Sequence, residues 1–152
     1  MNDRNIGLNK RARFDYEVIE TFEAGIVLLG SEVKSLRNGR VNMSDAYAAF
    51  DRHNTLTLYN VHIPEYKLAN QLNHKPLRNR VLLLHKKQNL KLIGLLKKGG
   101  VTLVPLSMYF SQRGWVKVSL ALAKGKKDYD KRKTIQEREW NREKQRIMKG
   151  QL

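Results

Sequence analysis

Apolar and polar residues alternate along most of the first 123 positions, and the period changes at a few points. Tyr16, Val18 and, after a polar break, Phe22 alternate with Asp15, Glu17 and Glu23, the period-two pattern of a half-buried strand. Gly25 can turn the chain into Ile26-Val27-Leu28-Leu29, a short buried strand ended by Gly30-Ser31. Residues 31–37 predict a short helix with Val33 and Leu36 on one face, stopped by Asn38-Gly39. Ala46, Ala48 and Phe50 mark one strand and residues 56–61 another, with Arg52-His53-Asn54 as the hairpin turn and Pro64 closing the second. Residues 67–80 lack a period and read as a basic loop, while 81–85 are apolar but ambiguous in type. From Gln88, Leu92, Leu95 and Leu96 share a helical face, capped by Gly99-Gly100. Residues 101–110 predict a long strand interrupted at Pro105, since proline suits an edge or a bulge. Gln112-Arg113-Gly114 then turns the chain into the alternating strand 115–122.

About six antiparallel strands with two or three short helices predict a mainly β fold, an OB-like antiparallel barrel over residues 1–123 whose polar first 13 residues end in a basic arm, Asn9-Lys10-Arg11-Ala12-Arg13. Such barrels commonly bind oligonucleotides, which is an analogy of fold and not yet a function. Beyond Ala123 the large apolar residues thin out to Ile135, Trp140, Ile147 and Met148, besides Tyr129 and Leu152. Glu139–Arg142 and Glu143–Arg146 would support a helix, but the apolar stripe is too thin to anchor one to a core. Residues 124–152 are therefore expected to form a basic C-terminal tail, disordered when free and helical against a partner.

Charge changes this picture from a fold to a class of partner. The 152 residues carry a formal net charge of +16. Residues 66–127 hold fourteen Lys and Arg and no Asp or Glu, whereas residues 1–65 come to −1 and residues 128–152 to +3. Ordinary surfaces mix the two signs. A field of one sign concentrates polyanions, and phosphate backbones are the commonest of these. The absence of Cys rules out a disulfide framework and fits a reducing, cytoplasmic setting. No apolar stretch approaches the roughly 18 residues of a membrane span, and the first ten residues lack a signal-peptide core. His53, His62, His74 and His85 have no zinc-site spacing, and neither a phosphate-cradling glycine motif nor a GxSxG elbow occurs. Glu17, Glu20, Glu23 and Glu32 lie near one another in sequence, but the basic window supplies no carboxylate for metal-dependent RNA cleavage. A binding protein without metal or cofactor is expected, not an enzyme.

Several strings then occur together in one order: Asn9-Lys10-Arg11-Ala12-Arg13, Phe22-Glu23-Ala24-Gly25, and Gly30-Ser31-Glu32-Val33-Lys34-Ser35-Leu36-Arg37. Leu82-Leu83-Leu84-His85, Gly125-Lys126-Lys127, Asp130-Lys131-Arg132 and Glu137-Arg138-Glu139-Trp140 follow. Each is weak alone. Their order and spacing resemble the small protein B family, the partner of transfer-messenger RNA in bacterial trans-translation.

That resemblance implies a barrel that binds the tRNA-like domain of transfer-messenger RNA and stands in for its missing anticodon arm. It implies a tail that enters the empty mRNA channel of a stalled ribosome, so that the incomplete protein is tagged for degradation. It places RNA contacts at Tyr16, Glu23, Leu83 and His85, with Lys10, Arg11, Arg78 and Arg80 on phosphates. For Tyr16 and Leu83 the alternative is core packing, and for Glu23 a turn cap. In the tail it points to Gly125 as a hinge and to Lys126, Lys127, Asp130, Lys131, Arg132, Trp140, Ile147 and Met148 as ribosome-facing residues. Phe14 and Tyr129 stand where members often have His, Val81 where they often have Lys, and some members have Asn at position 85. A generic OB-type or ribosomal protein held on ribosomal RNA is the alternative function.

Overall fold

The computed structural model describes residues 4–68, 73–126 and 128–150. Its elements in chain order are β1 Arg4–Leu8, α1 Lys10–Asp15, β2 Tyr16–Ile26, α2 Gly30–Arg37, β3 Tyr47–Phe50 and β4 Leu56–Tyr59. They continue with β5 Arg80–Leu83, α3 Lys86–Lys98, β6 Thr102–Phe110, β7 Val116–Gly125 and α4 Asp128–Met148. The strands pair antiparallel in the order β1-β6-β3-β4-β5-β2-β7, and β6 also pairs with β7. That last pairing closes β6, β3, β4, β5, β2 and β7 into a ring, with β1 lying beside β6. The expected antiparallel barrel with short helices is therefore present, and closure leaves little free edge to aggregate.

Alternation explains the interior. Phe22 and Ala24 of β2, Leu82 of β5, Leu103 and Met108 of β6, and Val118 and Leu120 of β7 are all buried in one cluster. Leu36 of α2 and Leu92 of α3 enter the same cluster, so both helices cover it. Burying each such side chain stabilises the fold by about 1.5–3 kcal/mol relative to exposure. A second, smaller cluster lies on the outside of the barrel. There Ala12 of α1 meets Val104, Leu106, Ala121 and Ala123, small enough together for the helix to rest on β6 and β7.

Three expectations are corrected. Gly25 does not turn the chain: β2 is continuous to Ile26, because Gly25 pairs with Leu83 on one side and Lys117 on the other. The polar start is not a free arm. Arg4–Leu8 pairs with β6, and Asn9 is the buried N-cap of α1. Its Oδ1 accepts from Ala12 N–H, while its Nδ2 donates to the Met43 and Pro105 carbonyls at 2.9 Å each. This is an N-cap of the ordinary Asn kind, legible locally but given its anchorage by residues far along the chain. Pro105 sits at a register shift between Pro105 and Ser107, the bulge expected of a residue without an N–H, but β6 continues through it rather than being interrupted.

Arg80 is the largest fully buried side chain. Its Nε donates to Glu32 Oε2, Nη1 to the Val61 carbonyl at 2.7 Å and Nη2 to the Pro76 carbonyl at 3.0 Å. Arg78 Nη2 reaches Glu32 Oε1 at 2.5 Å, and the same oxygen accepts the Leu29 N–H at 2.8 Å. Glu32 thus ties the start of α2 to β5 and its approach. Burial pushes the Glu32 carboxyl up, but the hydrogen bonds from Arg78, the Leu29 N–H and Arg80 outweigh it and hold the group below the ordinary Glu range. His74, buried nearby, bridges Ser31 Oγ through Nδ1 and the Ile63 carbonyl through Nε2, both at 2.9 Å. A carbonyl only accepts, so Nε2 is the donor to Ile63.

Candidate nucleic-acid interface

Because alternate strand residues point to opposite faces, the buried Phe22, Ala24, Leu82, Val118 and Met108 fix which neighbours point outward. One row across the outer face runs Leu83, Gly25, Lys117, Tyr109. The next runs Glu23, Ser119, Ser107. Leu83 is 56% exposed, so it is not a core residue. Glu23 lies within β2 and is not a turn cap; its Oε2 accepts the Tyr109 hydroxyl at 2.6 Å. His85 follows Leu83 by two residues, is exposed, and forms the N-cap of α3, its backbone N–H donating to Gln88 Oε1 at 3.3 Å. Glu23, Leu83 and His85 therefore share one end of the barrel's outer surface.

Tyr16 does not join them. It pairs with Gly125, whereas Glu23 pairs with Ser119. Seven residues of strand put the two roughly 23 Å apart. Tyr16 is half-buried against the outer cluster around Ala12. It borders a cleft of about 300 Å³ lined also by Arg11, Asp15, Ser44, Asp45 and Tyr47. Lys10 is exposed on α1. Arg11 pairs with Asp45 at 3.0 Å and with Asp15 at 3.4 Å, so its charge is partly committed within the protein.

The basic residues divide in the same way. Arg80 is withdrawn from the set: at 0% exposure, with its guanidinium on Glu32 and two carbonyls, it cannot reach a phosphate. Arg78 keeps a partly exposed side chain beside Glu32. Lys91 is held by Glu20 at 2.8 Å. Lys86, Lys87, Lys97, Lys98, Arg113 and Lys117 have no ion-pair partner among the described residues. The acid-free window thus becomes a cationic surface of α3, the β6–β7 turn and the outer face of β7. Tyr109 and Lys117 were not among the residues singled out from sequence. Lys117 was findable, as the outward position of an alternating strand in a carboxylate-free window. Tyr109 sat in an apolar run with nothing to show that it meets Glu23.

At the other end β7 runs to Gly125, and Lys126 N–H donates to the Asp15 carbonyl at 2.9 Å before the chain enters α4. Where a tail without fixed structure is expected in the free chain, the structure has a continuous helix. Its contacts with the rest of the chain include Lys131 to Asp15 at 3.5 Å, Lys126 Nζ to Thr134 Oγ1 at 3.2 Å and, at mid-helix, the Arg138 guanidinium 5.7 Å from the Phe14 ring. Phe14 thus receives a cation on its face, a contact open to any aromatic ring there. Trp140 is 60% exposed under Lys144 rather than wedged against the barrel, and Ile147 and Met148 are exposed too. Arg132 is exposed on the same helix. Asp130 falls within α4, and Lys127 lies outside the described residues. Among the described residues no group of His, Asp or Glu could hold a metal ion, and no helix is long and apolar enough to cross a membrane.

A closed barrel with a cationic outer face, one hydrogen-bond acceptor set within it and a basic helical extension is the architecture of a small RNA-binding protein. The family model described as SmpB protein matches residues 6–150. The SsrA-binding protein of Wolbachia pipientis wMel is 56% identical over 147 residues, covering 97% of this chain and 98% of its own. That of Agrobacterium fabrum is 52% identical over 142 residues, covering 93% and 88%. A solved structure described as "tmRNA-SmpB: a journey to the center of the bacterial ribosome" is similar with a TM-score of 0.66 and 48% identity, over 80% of this chain and 85% of the other. The chain belongs to the SmpB family.

Proposed function

We infer that this protein binds transfer-messenger RNA and acts with it on stalled ribosomes in trans-translation. The observation that carries this reading is the outer barrel face, where Glu23, held by Tyr109, is an acceptor set in a surface otherwise rich in unpaired cations. Phosphates bind the cations and position the RNA, whereas a carboxylate repels phosphate and accepts from a base edge or a ribose hydroxyl. Leu83 and His85 beside it offer an apolar edge and a ring for unpaired bases. Tyr16, with Lys10 and Arg11, is a second contact toward the tail. The protein acts by binding, in the cytoplasm, and makes or breaks no bond. The tail, α4 hinged at Gly125, enters the empty mRNA channel. Lys126, Lys127, Lys131 and Arg132 neutralise ribosomal RNA phosphates there, and Trp140, Ile147 and Met148 supply apolar contact.

Binding of the full chain to transfer-messenger RNA and to an elongator tRNA, over a series of salt concentrations, tests the reading. A preference for the first that survives raised salt is expected, because placed contacts add to counterion release. Equal binding that collapses with salt would overturn it in favour of generic RNA binding. Replacing residues 130–132 with alanine should leave that preference intact and abolish tagging of the stalled product. Equal loss of both would sink the division of labour between barrel and tail.

A further inference from the structure

The outer face does not end at Lys117. Two residues earlier, at the tip of the β6–β7 turn, Trp115 is 68% exposed. It has the same strand parity as Lys117 and Ser119, so it continues their face, four residues and roughly 13 Å beyond the row that holds Glu23. The tip is rigid in its backbone. Ser111 N–H donates to the Trp115 carbonyl at 2.7 Å, Trp115 N–H to Ser111 Oγ at 3.2 Å and Gly114 N–H to the Ser111 carbonyl at 2.9 Å. Gly114 holds φ +83°, a conformation a side chain would strain. The neighbours in sequence are cationic: Arg113 is exposed in the turn, Lys117 is the next residue along on the same face, and residues 66–127 contain no Asp or Glu. Across β6, Arg4 lies 5.8 Å from the Phe110 ring and donates to the Arg37 carbonyl at 2.8 Å, placing a further guanidinium at this pole.

We propose that this turn is an RNA-stacking platform, in which the Trp115 ring takes an unpaired base and Arg113 and Lys117 take the flanking phosphates. A large aromatic on a rigid tip with cationic neighbours in sequence fits a base face: every base has a π-face, and the cations hold the strand against it. The surface is continuous with the Glu23–Tyr109 face, so one bound RNA can lie along both. The proposal rests on the RNA-binding reading above. The base comes either from transfer-messenger RNA or from ribosomal RNA, and the two differ in where binding is lost.

Full-length Trp115→Ala and Trp115→Phe, with melting curves to confirm folding, separate these cases. A base of transfer-messenger RNA predicts that Trp115→Ala weakens ribosome-free binding by about fivefold to a hundredfold, that Trp115→Phe retains most of the affinity, and that the salt slope is unchanged in both. A ribosomal base predicts unchanged ribosome-free affinity but weaker capture of the RNA–protein complex by stalled ribosomes. Because the chain has two Trp residues, a Trp140→Phe background leaves Trp115 as the one tryptophan, and quenching of selectively excited tryptophan emission on RNA addition reports stacking. Trp115→Ala that matches the unaltered chain in both arms overturns the proposal. So does a loss that follows only the break-up of a dimer. If the unaltered chain shows no preference for transfer-messenger RNA, the functional reading itself falls, whatever Trp115 does.

Discussion

The barrel and α4 contain the same kinds of residue and use them oppositely. Arg80 is buried inside the barrel with its guanidinium spent on Glu32 and two backbone carbonyls. Arg132, Arg142 and Arg146 on α4 are exposed, as are the apolar Trp140, Ile147 and Met148. In the barrel interior, charge and apolar surface are satisfied internally and fix a shape. On α4, a rod of 21 residues and about 30 Å, they are left for something else to satisfy. A count of basic residues therefore identifies a polyanionic partner but not the contacts, because burial decides whether a guanidinium binds the protein or the partner.

The largest effect should come from breaking the internal side of this contrast. Glu32→Gln leaves Arg78 and Arg80 without their carboxylate, one of them wholly buried, and is expected to cost about 3–5 kcal/mol in a denaturant titration. The pH dependence has a definite sign. Glu32 sits below the ordinary Glu range when folded, so its contribution is complete above the unfolded value near about 4.3 and is lost as pH falls through the folded value. The unaltered chain should lose stability in acid below about pH 4, and Glu32→Gln should lose less over that interval. Parallel acid profiles for the two proteins would contradict this.

A smaller effect is expected on the outer face. Tyr109→Phe removes the hydroxyl that orients Glu23 without touching the core, so the melting temperature should hardly move. The preference for transfer-messenger RNA over tRNA should fall by about fivefold, the worth of one hydrogen bond of about 1 kcal/mol. Lys117→Gln should do the converse, lowering the slope of log affinity against log salt by about 0.9 while keeping the preference, since it removes a phosphate contact only. A change in slope for Tyr109→Phe would mean that the tyrosine acts through general electrostatics.

These two regions also differ in how much of them could be read from sequence. Period-two alternation located β3, β4, β6 and β7, and Leu92, Leu95 and Leu96 located α3, because each pattern records a local choice of buried face. β1 and α1 were not visible, since their stability comes from β6 and from Asn9 bonded to Met43 and Pro105, tens of residues away. Gly25 was misleading for the same reason. A glycine flanked by apolar residues looks like a turn, and only pairing with Leu83 and Lys117 makes it mid-strand. In the site, Glu23, Leu83 and His85 came from motifs, and the distance from Glu23 to Tyr16 follows from their places in one strand; that Leu83 lies in the row next to Glu23 depends on strand register, which composition does not encode. Arg80 had the signature of a phosphate ligand. Its burial is set by Glu32, 48 positions earlier.

The smallest effect should appear where the two regions meet. Asp15 is shared: its carboxylate faces Arg11 at 3.4 Å and Lys131 at 3.5 Å, and its backbone carbonyl accepts Lys126 N–H at 2.9 Å. Asp15→Asn keeps the carbonyl and removes the charge. Both ion pairs are partly exposed, so the expected cost to global stability is only about 0.2–1 kcal/mol, smaller still at high salt. The motion of α4 is a more sensitive readout, because the charge pair with Lys131 would be gone while the Lys126–Thr134 and Arg138–Phe14 contacts stay. Labels on the barrel and at residue 147 should report a broader distance distribution in Asp15→Asn than in the unaltered chain at low salt. The two should converge as salt screens the pair. Persistence of the difference at high salt would mean that Asp15 holds the tail by packing rather than by charge. The hinge would then have to be sought in Gly125 and the residues after it.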